Sequence, residues 1–201
     1  VPRPRTDIEP RIVHAARELF LERGVDGASL RKIARAARTS IGMLYYYFPT
    51  KDELFLAVVE EVYSELLADI ERALAPDAPI EDRLRRAFRR LGQVSELELQ
   101  IIKLVVREML VSSDRRDRLV ERFQRGHLPL VFSALADGVR DGSLRDDLSP
   151  PLLAIASFAI GALPQLLRRA MGDRTPVGAL PDGDALADML IDVLFTGVGS
   201  R

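Results

Sequence analysis

The chain contains no cysteine and no tryptophan, only two histidines, and 6% aromatic residues in 201. Without cysteine there is no disulfide, no thiol nucleophile and no thiolate metal site, and nothing demands an oxidising compartment. His14 and His127 stand far apart in the chain, so the His-x-x-x-His spacing of a helical metal site is missing. So are a glycine-rich phosphate loop and a nucleophile elbow. These absences argue against a small helical enzyme: no catalytic residue, no cofactor and no metal is expected. Strand-like alternation of useful length and internal repeats are also missing, which leaves an all-α chain. The first residues, VPRPRT, carry no apolar run of the signal-peptide kind, and a cytoplasmic location is expected.

Hydrophobic residues at 47% and charged residues at 29% describe a soluble globular protein. The formal net charge of −1 conceals an asymmetry. Residues 1–51 hold ten Lys/Arg against five Asp/Glu, a net +5, leaving −6 for the remainder. A basic N-terminal block on a weakly acidic body suits a head that binds phosphates. Inside that block, Leu30, Ile33, Ala34 and Ala37 fall at i, i+3, i+4 and i+7 on one helical face, and Leu44, Tyr47 and Phe48 form a second short face. Between them lies Arg38-Thr39-Ser40, long enough only for a tight turn. Ser29 and Ser40 stand where a hydroxyl caps free helix amides. Two helices of about two turns joined by a 3–4-residue turn form the unit that lays its second helix in a DNA major groove.

The segment also resembles, residue by residue, the DNA-binding region of the tetracycline-repressor (TetR) family of bacterial regulators. Ser29, Ile33-Ala34, Ala37, Ser40, Gly42, Tyr45, Phe48, Lys51 and Leu54 follow the order and spacing of the family signature. Arg38, Thr39 and Tyr47 depart from it, standing where glycine, valine and histidine are usual. The resemblance implies a three-helix helix-turn-helix head (residues 1–50) on a larger helical bundle (51–201) that binds a ligand and dimerises. It further implies a regulator, by family habit a repressor, that holds a palindromic double-stranded DNA operator as a homodimer until a small-molecule effector displaces it. Tyr45 matches a family phosphate contact, and Lys51, opening a helix after Pro49-Thr50, is placed for another. Three consecutive tyrosines cannot all face inward, so Tyr46 is expected beside Tyr45 on the DNA side. Ile41, Gly42 and Met43 begin the second helix, where side chains reach base edges and apolar ones meet thymine methyl groups. Arg31 is the candidate for a guanine. Ser29 is a candidate phosphate ligand, Arg35 and Arg38 serve the backbone instead, and the PRPRT arm offers a minor-groove contact. A helical adaptor that binds protein partners is the rival reading; it leaves Gly42, Tyr45 and Lys51 together without a reason.

The remaining pattern is helical. Expected helices are Asp7 to Arg23 (Thr6 as cap, Gly24 as stop), Lys51 to Leu74, Ile80 to Val94, Glu98 to Leu110, Asp114 to Arg140 with a bend at Pro129, Leu152 to Met171, and Asp184 to Phe195. Ala75 to Pro79 is the clearest linker. Leu148 to Leu167 holds no charge over twenty positions, the length of a membrane span. Pro150-Pro151, Pro164, Ser157 and Gln165 argue against one, and no membrane partner is expected. A helix this apolar should be buried, either in the core or between subunits; of the two, its small-residue strip of Ala154, Ser157 and Gly161, with Phe158, is taken as the candidate dimer interface. Candidate effector contacts are Phe88, Leu91, Ile102, Met109, Phe123, His127, Phe158 and Gln165, a mostly apolar set that implies a mostly apolar effector.

Overall fold

The structure, a computed structural model, describes residues 7–174 and 178–197. Among them are helices and turns and no strand. The helices are α1 (Ile8–Gly27), α2 (Leu30–Ala36), α3 (Ile41–Tyr47), α4 (Lys51–Ala73), α5 (Ile80–Gly92), α6 (Glu96–Val111), α7 (Ser113–Gln124), α8 (His127–Arg140), α9 (Pro150–Ser157), α10 (Leu163–Met171) and α11 (Gly183–Thr196). Thr6 and the PRPRT arm lie outside the described residues, as does part of the Gly/Pro-rich loop before α11. The chain packs as two units. One takes α1 to α3, α4 as far as Glu65, and Gln100–Glu121; the other takes Leu66–Leu99 and the chain from Arg122 onward.

In the first unit α1 packs on α2 and α2 on α3. Ile12, Ala16 and Phe20 of α1, Ile33 of α2, Leu44 of α3, and Leu54, Phe55 and Val58 of α4 are sealed from solvent. Phe20 meets Phe55 edge to face, ring centres 6.4 Å apart, a favoured aromatic geometry. Gly24 leaves the helical region at φ 77°, so α1 kinks where the stop was expected and adds one more turn. Thr50 and Glu53 form a reciprocal capping box at the start of α4: the Glu53 amide donates to Thr50 Oγ1 at 3.1 Å and the Thr50 amide to Glu53 Oε2 at 3.4 Å.

In the second unit α5 is the central element, contacting α8, α10 and α11. Ile80, Leu84, Ala87 and Phe88 form its buried stripe, meeting Ile70, Leu74, Ala134, Leu135, Leu153, Ala187 and Ile191. Its arginines fasten the corner after α4. Arg83 Nε donates to the Leu74 carbonyl at 2.9 Å and its Nη1 to Asp137 at 2.8 Å, while Arg86 Nε donates to the Ala73 carbonyl at 3.1 Å. Residues 75–79 are therefore a pinned corner inside this unit.

Two helical expectations need correction. The single helix from Asp114 to Arg140 is two helices, α7 and α8. Gly126, at φ −112° and ψ −112°, breaks it, and Pro129 causes no bend because it sits in the first turn of α8, where no amide partner is required. The helix from Leu152 to Met171 is α9 and α10 joined by a π turn at Phe158–Ala162. That wider turn accommodates Pro164, which falls at the start of α10.

Pro150–Met171 is long and apolar enough to cross a membrane by length and composition, yet it is neither fully buried nor faced as expected. Ser157 and Gly161 of the small-residue strip turn inward and are buried, and Ala154 is half-buried. A Cβ on Gly161 would lie 1.9 Å from the Phe88 ring, so the strip exists to seat Phe88 within the unit. The exposed side carries the large residues instead: Leu152, Ile155 (63% exposed), Phe158 (55%), Leu163, Leu167 and Met171.

Candidate nucleic-acid interface

The head is built from short, locally specified pieces. Ser29 occupies the N-cap position of α2 in extended conformation, but its hydroxyl makes no capping bond, contrary to the sequence expectation. That leaves the hydroxyl available to an outside acceptor. Ser40 does cap α3: its Oγ accepts from the Met43 amide at 3.1 Å. The turn between them closes through Ala37 N to Ile33 O at 2.9 Å and Thr39 N to Ala34 O at 3.0 Å. Arg38 takes the left-handed conformation at φ 52°, the only non-glycine among the described residues to do so. Glycine suits that position without steric cost.

Leu44 and Phe48 bury the inner side of α3, and Tyr47 is half-buried, as the three-residue spacing predicts. Ile41, Gly42, Tyr45 and Tyr46 face solvent, and Met43 is half-buried. Tyr46 is 77% exposed and braced edge-on by Tyr47, ring centres 5.4 Å apart. An exposed apolar, aromatic surface on a two-turn helix suits a groove-reading edge.

Beside this edge Ala28, Ser29, Leu30, Arg31, Ile41, Tyr45 and Lys51 line an open concavity of ≈ 550 Å³. Five of the nine residues singled out for DNA contact thus converge. Ser40, Gly42, Met43 and Tyr46 follow along α3. Lys51 opens α4 and donates from Nζ to the Asp26 carbonyl at 3.1 Å. An ammonium has three donors, so two remain for a phosphate oxygen. Hydrogen bonds from Arg115, joined by the charges of Arg115, Lys51 and Arg107, hold the Asp26 carboxyl below the usual carboxylate range. Asp26, whose carbonyl holds Lys51, thus has its carboxylate matched by cations. A second hollow of ≈ 510 Å³, lined by Arg11, His14, Arg38 and Glu61 among others, lies elsewhere on the same unit.

The effector candidates are less convergent. Ile102 and Met109 belong to the first unit, while Phe88, Leu91, Phe123, His127, Phe158 and Gln165 belong to the second. Phe88 is spent on Gly161. Gln165 is fully buried and donates to the Gly183 carbonyl at 2.7 Å, and Phe158 is exposed rather than enclosed. His127 is half-buried. Its ring lies 5.0 Å from that of Phe123. Burial, with the charge of Arg122 second, pushes its pKa below the ordinary 6.5.

Sequence reasoning missed the Thr50–Glu53 box, whose T-x-x-E signature was legible. It also missed Arg115, whose carboxylate partners Asp26 and Asp52 lie 89 and 63 positions away and give no local signal.

Residues 12–58 match the family model described as bacterial regulatory proteins, tetR family. The chain is 29% identical over 152 residues to the HTH-type transcriptional repressor DhaR of Mycobacterium sp. (strain GP1), covering 75% of this chain and 76% of that one. The fold is similar to the transcriptional regulator FadR from Bacillus subtilis in complex with stearoyl-CoA, with a TM-score of 0.72 at 20% identity, over 94% of this chain and 99% of that one. It is also similar to AibR in complex with isovaleryl coenzyme A and operator DNA, with a TM-score of 0.67 at 20% identity, over 93% and 97% of the two chains. With this helix-turn-helix geometry and the match over residues 12–58, the chain carries the DNA-binding region of the tetR family of bacterial regulatory proteins.

Proposed function

We propose that the protein is a ligand-responsive transcriptional repressor that binds a palindromic operator in cytoplasmic DNA as a homodimer and releases it on binding a small, mostly apolar effector. The observation that carries the reading is the exposed α3 edge of Ile41, Tyr45 and Tyr46 beside a concavity lined by Ser29, Arg31 and Lys51. In this reading Arg31 hydrogen-bonds a guanine, and Ile41 and Met43 pack on thymine methyl groups while Gly42 lets the backbone approach. Ser29, Ser40, Tyr45, Tyr46 and Lys51 hold phosphates. The functional division is a DNA-binding head, 1–50, and a ligand-binding and dimerising body, 51–201. So few polar readers specify little sequence alone, and pairing two heads doubles the read length. The exposed apolar side of α9 and α10 supports pairing there, because a monomer seldom leaves so many large apolar side chains contiguous in water. An operator-binding regulator has no need of an active site, and no enzyme activity is proposed.

For the effector, acyl-CoA thioesters are the first class to try, since FadR and AibR were each crystallised with one; their acyl chain is the apolar part that the candidates would enclose, and the anionic coenzyme portion needs contacts beyond them. The half-buried candidates Leu91, Phe123 and His127 are apolar with one polar handle. Selection of bound duplexes from a random pool tests the whole reading. A two-fold palindrome supports it, and release by acyl-CoA of some chain length supports the effector. A pool without enrichment, with binding insensitive to salt, overturns it and favours a protein adaptor.

A further inference from the structure

Arg115 of α7 is an arginine with 7% of its side chain exposed, placed among three carboxylates from three other helices. Its Nη2 and Nη1 take both oxygens of Asp26, at the end of α1, at 2.8 and 3.0 Å. Nη1 also reaches Asp52, in the first turn of α4, at 3.2 Å, and Nε pairs with Glu108 of α6 at 2.8 Å. All four residues belong to the first unit. Asp26 has a second attachment, because its carbonyl is the acceptor for Lys51 Nζ. Three residues on comes Ser29, so the short link from Asp26 to Ser29 carries one wall of the concavity. Next to this hub, Arg107 of α6 donates to Glu108 and lies over Gly24, where a Cβ would stand 2.5 Å from Nη2.

We infer that Arg115 is a positioning residue for DNA binding: by clamping Asp26 it sets where the Lys51 ammonium and Ser29 stand, so that α6 and α7 hold the phosphate site from behind. The inference rests on the DNA-binding reading. A forked guanidinium fixes a carboxylate in two directions at once. The carbonyl of the same residue is then fixed too, and with it the acceptor that orients Lys51. Any movement of α7 relative to α1 is passed to a group that touches DNA.

The test uses the full chain and a fluorescently labelled random-sequence duplex, over a series of salt concentrations. Asp26 is 71% exposed, and its replacement leaves Arg115 paired with Asp52 and Glu108, so Asp26→Asn keeps the fold. Asp26→Asn is expected to weaken binding several-fold and to lower the salt slope by about 0.9, the loss of one phosphate contact. Lys51→Ala is expected to do the same, and Asp26→Asn combined with Lys51→Ala to bind no worse than Lys51→Ala alone. Arg115→Met weakens binding in the same way, and Arg115→Lys restores part of it. A wild-type slope for Asp26→Asn, or losses that add in the double variant, overturns the inference while leaving DNA binding intact. A wild-type protein that binds the duplex without salt dependence overturns both.

Discussion

At the scale of single residues, the proposed interface divides contacts that would read sequence from contacts that would hold the duplex. Arg31 and Lys51 line the same concavity, and the proposed reading gives them different purposes. Arg31→Ala is expected to relax preference at one base position, at about 1–3 kcal/mol for the correct site. Lys51→Ala is expected to weaken every sequence alike. Binding-site selection with each variant checks this, and an unchanged base preference without Arg31 contradicts it. His127 supplies a pH-dependent prediction. Burial holds its folded pKa below the unfolded 6.5, so the folded chain binds fewer protons than the unfolded one once pH falls beneath that value. The stability contributed by the neutral ring is therefore full above 6.5 and is lost as pH drops through the folded pKa. Thermal melts from about pH 7 to about pH 5 should fall less for His127→Gln than for the wild type; parallel curves would show that the ring does not titrate as described.

At the scale of elements, what was legible is what is locally encoded. Helices α2 and α3 followed from three-residue apolar spacing and from Ser40, whose capping bond is made within four residues of chain. The break between α7 and α8 was hidden because an isolated glycine is tolerated inside many helices, so Gly126 was weaker punctuation than Pro129. The facing of α9 and α10 was hidden for another reason. Small residues permit close approach of any neighbour, and only the three-dimensional position of Phe88 shows that Gly161 serves the unit's own core. The Arg115 cluster was beyond any local reading, since its partners come from three other helices. Arg38 gives the prediction at this scale. A side chain at φ 52° costs stability that glycine would not, so Arg38→Gly should stabilise the fold by ~1 kcal/mol, read from the denaturant midpoint. A midpoint that falls would mean that the arginine side chain makes contacts worth more than the strained backbone.

At the scale of the whole molecule, the exposed apolar side of α9 and α10 is where the proposed pairing of two chains can be tested. Ile155 is well exposed, so Ile155→Glu leaves the unit's core untouched. It is expected to yield a monomer by light scattering and to abolish binding to a palindromic duplex while weak nonspecific binding persists. A variant that remains dimeric places the subunit contact elsewhere. That apolar side owes its continuity to the π turn at Phe158–Ala162. Ile155 and Leu163 are eight positions apart, and a plain α-helix would rotate one about 80° from the other. A π turn takes up roughly one residue without advancing the rotation, so the pair stand in phase, as residues seven apart ordinarily do. The irregular stretch thus acts as a phase corrector: straightened into uniform α-helix, the same sequence would wind Leu163, Leu167 and Met171 about 80°, 120° and 160° away from Ile155, spreading one seam around the helix.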